Sequence, residues 1–159
     1  MKSIHYFLIF FSFILSSVSC YAQDLFGLNP ENLKTAQDYK NAEERVLSCA
    51  NYLLTNPIDE EDLIRKTTFT YLFKWIEGTP EHTFSLDEEV VLLTGNDKDL
   101  LTIYFSALAK TVLEEPIKQS TDEEIQEQAI QYLLDYCLNP ENHLKATKRM
   151  NKMSKKNKT

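Results

Sequence analysis

Apolar positions recur at helical spacing through most of the chain. Tyr39, Ala42, Val46, Cys49 and Leu53 follow one another at steps of three and four residues, which places them on one stripe of a helix. Thr35 and Asp38 have the spacing of a capping box, so the first helix is predicted from about Ala36 to Leu54. Asn56-Pro57 ends it, because the residue before a proline is pushed out of the helical region. A second helix is predicted over Glu60 to Glu77, with the acids of Asp59-Glu60-Glu61-Asp62 in its first turn. Ile64, Thr68, Tyr71 or Leu72, and Trp75 form its inner face. Gly78 is expected in the left-handed closing position, followed by Pro80.

Ser85 and Glu88 suggest a capping box before Leu86, Val90 and Leu93, and Gly95 suggests the end of that short helix. Asn96 is the expected cap of the next helix, whose face Leu100, Tyr104, Ala107, Leu108 and Val112 runs until Glu115-Pro116. Thr121 and Glu124 cap a further helix carrying Ile125, Ala129, Leu133, Tyr136 and Cys137, and a last one is expected after Asn139-Pro140. No alternating run is long enough for a strand. The pattern predicts an all-α domain, a single compact antiparallel bundle of five to six helices. Its expected core includes Val46, Leu53, Leu72, Trp75, Leu93, Tyr104, Leu108, Ile125 and Leu133. Leu28-Asn29-Pro30-Glu31-Asn32 returns as Leu138-Asn139-Pro140-Glu141-Asn142, which reads as the same helix-start chemistry used twice rather than as a repeat.

The first 22 residues are different material. Lys2 precedes an apolar run from Tyr6 to Leu15 interrupted only by Ser12, and Ser16 to Ala22 is small and polar. This is the layout of a signal peptide, with cleavage expected after Ala22. Ten helical residues reach about 15 Å against the roughly 30 Å of a hydrocarbon core, so a membrane span is the poorer reading. Lipid anchoring at Cys20 is the alternative, although Ser17 stands where such a signal usually has leucine. Removing residues 1–22 leaves 137, which divide into a domain over 23–150 and a basic tail over 151–159 that is expected to be disordered.

Charge sharpens that division. The whole chain carries −7, yet residues 23–142 hold nine basic and 24 acidic groups, while the last fifteen residues hold seven basic groups and no acid. An acidic body excludes general binding to nucleic acid, and no specific nucleic-acid partner is expected. The tail could make a weak contact with an anionic surface, or simply fray.

Candidate chemistry is sparse. Three scattered glycines exclude a glycine-rich phosphate loop, and neither Gly-x-Ser-x-Gly nor Ser-x-x-Lys occurs. His5 leaves with the leader, and neither His82 nor His143 belongs to a metal-binding motif. The acidic groups fall at predicted helix starts, where carboxylates are stabilised by the helix dipole. No catalytic residue, metal or cofactor is therefore assigned. The densest segment runs from Trp75 to Phe84, and Trp75, Glu77, Glu81, His82 and Phe84 form the candidate binding surface. The rival reading is a hydrolase of an envelope polymer, with Glu77 or Glu81 as acid or base and His82 assisting. Cys49 and Cys137, the two cysteines left after cleavage, are compatible with a disulfide but are favoured as buried thiols.

Trp75 to Phe84, together with Leu133-Leu134-Asp135-Tyr136-Cys137-Leu138-Asn139-Pro140, resembles an uncharacterised family of small exported helical bacterial proteins. The resemblance implies no activity and no site residue. The sequence reading is thus a non-catalytic, exported (periplasmic or envelope) helical interaction protein whose partner is another envelope protein. A narrower version is an acidic inhibitor of a cationic toxin or enzyme.

Overall fold

The computed structural model describes residues 27–114 and 121–156. The expected leader, the Glu115-Pro116 stop and the last three residues lie outside them. Six α-helices, α1 (Ala36–Thr55), α2 (Leu63–Gly78), α3 (Glu88–Thr94), α4 (Lys98–Leu113), α5 (Asp122–Leu138) and α6 (Lys148–Lys156), make an all-α bundle with no strand among the described residues. Single 3-10 turns lie at Pro30–Asn32 and Pro140–Asn142. None of the described helices is long and apolar enough to cross a membrane.

Helix α4 is the shared wall, packing against α1, α2 and α5. Ala109 of α4 joins Val46, Leu53, Leu72 and Trp75 in a core on the α1–α2 side, whereas Ile103, Tyr104 and Leu108 join Leu93, Leu133 and Leu134 on the α5 side. The expected core is enclosed as read, except that Ile125 is only partly buried.

Two of the three expected capping boxes form as the spacing predicts. Thr35 and Asp38 close a reciprocal box on α1, and Thr121 and Glu124 do the same on α5. Gly95 adopts φ 61° and terminates α3. Other expectations are corrected. Asp62, not Glu60, begins α2, its Oδ1 accepting from the amides of Ile64 and Arg65, so Asp59 to Glu61 precede the helix. That register leaves Ile64 exposed and turns Arg65 inward. Asp87 replaces Ser85 as the cap of α3, leaving Leu86 exposed. Asp97 replaces Asn96 at α4, and Asn96 instead takes a left-handed φ of 60°. Pro140 opens only a single turn before α6 begins at Lys148. Asn151 to Lys156 continue α6, unlike the disorder expected from Asn151 onward. Met150, fully buried, and Met153, partly buried, give this basic helix an apolar side to lay on the core.

Gly78 is helical rather than left-handed, and its role is space: the ring and hydroxyl of Tyr39 occupy the position that a Cβ would take. Gly78→Ala is expected to cost about 1–3 kcal/mol, read as a lower urea midpoint at constant slope, because Tyr39 must leave its packed position.

The end of α1 is tied by distant residues. The carbonyl of Leu53 would accept from residue 57, but Pro57 has no N–H. Arg65, 6% exposed, supplies the donors instead: both of its terminal nitrogens lie 3.3 Å from the Leu53 oxygen, and Nη1 also reaches the Asn56 carbonyl at 3.1 Å and the Pro57 carbonyl at 3.4 Å. The Tyr136 hydroxyl donates to the Asn56 carbonyl at 2.6 Å, and the Ile58 amide donates to the Asn142 carbonyl at 3.0 Å.

Candidate functional site

Trp75 belongs to the core rather than to a binding surface. Its side chain is 0% exposed, and its indole Nε1 donates to the Tyr39 carbonyl at 3.0 Å. His82 and Phe84 lie over it, with ring centroids 5.7 and 5.9 Å from the indole, so the loop after α2 is anchored by aromatic packing.

That anchoring brings Glu81 and His82 together with Glu43 of α1, their potential ligand atoms lying within 4.8 Å of one another. Glu77, exposed at the end of α2, is not part of the cluster. Lys40 closes the group, its ammonium 2.8 Å from Glu81 and 3.1 Å from Glu43. Hydrogen bonding from Lys40 holds the Glu81 carboxyl below the usual range, and the same contact raises Lys40. Among the described residues, Glu43, Glu81 and His82 are a group that could bind a metal ion, but the Lys40 ammonium already pairs with both carboxylates. Glu81 is thereby an ion-pair partner rather than a proton donor poised near neutrality.

Burial lowers the His82 pKa, against the smaller upward pull of Glu43 and Glu81. The unfolded chain therefore binds the proton more readily than the folded one. Stability is expected to fall as pH drops below the unfolded value of about 6.5, until the lower folded pKa is passed. An NMR titration of the His82 ring should give a midpoint below that of an unfolded histidine, and a midpoint above it would contradict this packing.

A groove of about 480 Å³ between α3, α5 and α6 is lined by the carboxylates Glu89, Glu124 and Glu127 and by apolar Ile130, Leu134 and Met153. A smaller cleft of about 140 Å³ lies between the 81–85 loop, α4 and the first turn of α5, and includes Glu81, His82, Phe84 and Tyr104 but not Glu77. The chain matches no known protein family, no curated protein and no solved structure.

Sequence reasoning singled out Glu81, His82 and Phe84 but missed Lys40 and Glu43, whose i, i+3 spacing on the exposed side of α1 was the available signal. Cys49 and Cys137 are both buried, do not bridge one another, and lie in separate core clusters. Burial pushes the Cys137 thiol up to about 12, with Asp97 adding to the shift, so it is a packing group rather than a nucleophile.

Proposed function

We propose that this chain is a non-catalytic exported protein of the bacterial envelope that binds a cationic protein partner. The observation that carries this reading is the acidic groove between α3, α5 and α6, where three glutamates accompany an apolar strip from Ile130, Leu134 and Met153. A basic amphipathic helix has the complementary chemistry, with apolar residues for the strip and lysines for the carboxylates. The surplus of 15 acidic groups over residues 23–142 would steer such a partner toward the body. The hydrolase alternative loses support because Glu77 stands apart from His82 and Glu81 is committed to Lys40. Export rests on the leader at 1–22, and sequencing of the mature N-terminus should begin at Gln23. Exposed Lys148, Arg149, Lys152 and Lys155 on α6 leave room for a secondary contact with an anionic surface.

A designed amphipathic peptide with lysines on one face and leucines on the other tests the main claim by calorimetry. Glu89→Gln with Glu127→Gln should weaken binding about tenfold at low salt, with less difference at high salt. The same charge change at exposed Glu44 and Glu61 should have little effect. Equal loss from both pairs, or no binding at low salt, would refute the groove as the docking site.

A further inference from the structure

Buried in the wall of the smaller cleft is a polar group with no partner among the described residues. Tyr104 is 0% exposed, and its hydroxyl has no hydrogen-bond partner among the described residues. Such a group costs about 1–3 kcal/mol relative to a satisfied one, so its retention calls for an explanation. The nearby Asp87 carboxylate accepts instead from the Val90 amide on Oδ1 and from the Gln126 side chain on Oδ2. Phenylalanine would fill the same apolar space without the cost.

What sets this hydroxyl apart is where its residue sits. Tyr104 lines the cleft of about 140 Å³ together with apolar Phe84, Leu108, Val112 and Ile125. A cavity of about 150 Å³ is enough to hold a benzene ring. Glu81 and Asp122 also line it, giving the cleft a negative potential that disfavours anions. We propose that the cleft binds a small, non-anionic, ring-sized organic molecule, its apolar body against Phe84, Leu108, Val112 and Ile125 and its hydrogen-bonding head on the Tyr104 hydroxyl. The residues lining this site are distinct from those lining the acidic groove, so the proposal does not rest on the partner protein. Burial, with the charge of Asp87 adding to it, raises the Tyr104 pKa, which keeps the phenol protonated as a donor.

Phenol, toluene, benzylamine and benzoate are suitable probes, with the full chain followed by NMR. Phenol and benzylamine should shift signals of Phe84, Leu108, Val112 and Ile125, with benzoate at least about tenfold weaker. Phenol should also bind more tightly than toluene. Tyr104→Phe removes an orphaned hydroxyl, so its thermal midpoint should be unchanged or higher, while the preference for phenol over toluene should disappear. Ile125→Phe should fill the cleft and weaken all of the probes. The proposal is overturned if no probe shifts these residues at about 10 mM, a concentration that detects even millimolar affinity. It is also overturned if benzoate binds as well as phenol, or if Tyr104→Phe keeps the phenol preference.

Discussion

Replacing Arg65 by methionine is expected to destabilise the protein by about 3 kcal/mol, a large share of the stability of a domain this size. Methionine preserves most of the packing volume of the Arg65 stem, so the loss isolates the guanidinium. That group reaches the carbonyls of Leu53, Asn56 and Pro57 from a site almost closed to water. Leu53 is the most exposed to the loss, since the proline four residues later offers no amide. The positive charge also sits at the negative end of α1, where it is favoured by the helix dipole. Urea denaturation should show a lower midpoint with an unchanged slope. A cost below about 1 kcal/mol would mean that the carbonyls find water or other donors in the variant.

The second large effect is expected at Trp75. Trp75→Ala should cost about 3–5 kcal/mol, because it empties the centre of the α1–α2 core and removes the support beneath His82 and Phe84. Trp75→Phe separates the two contributions, since it keeps an aromatic filler but deletes the hydrogen bond to Tyr39. Its cost should be smaller, about 1–2 kcal/mol. The alanine variant should also bring the His82 titration back toward an ordinary histidine value, since burial is the main cause of its depression. A His82 midpoint that stays depressed in the alanine variant would show that other neighbours maintain the burial.

Some features controlled within one helical turn were legible in the sequence, whereas the equally local signals at Ser85 and Asn96 gave way to Asp87 and Asp97. Thr35 with Asp38, Thr121 with Glu124, and Gly95 each act on residues three or four positions away, and each does what its spacing indicates. The stripe on α1 was equally readable because its residues share one helix face. Gly78 was misread because its reason for being glycine lies on α1, where Tyr39 approaches it. Ile64 was misread although Thr68, Tyr71, Leu72 and Trp75 of the same expected face are buried: in the first turn of α2 it is Arg65 that turns inward, toward carbonyls at the end of α1. The Lys40–Glu81 contact spans 41 residues of sequence, and no local pattern announces it. The acidic groove is similarly assembled from α3, α5 and α6, with Glu89 distant in sequence from the residues it faces.

The bonds that tie residues 56–58 to residues 136–142 also impose an order on synthesis. A chain emerging from the ribosome can form α1 and its Thr35–Asp38 box early, because that helix needs only local partners. The carbonyl of Asn56 can take Arg65 early but waits another 80 residues for the hydroxyl of Tyr136, and the amide of Ile58 waits for Asn142. Until then the amide of Ile58 must remain wetted. Completion of the bundle is therefore a late event, governed by the arrival of its C-terminal third.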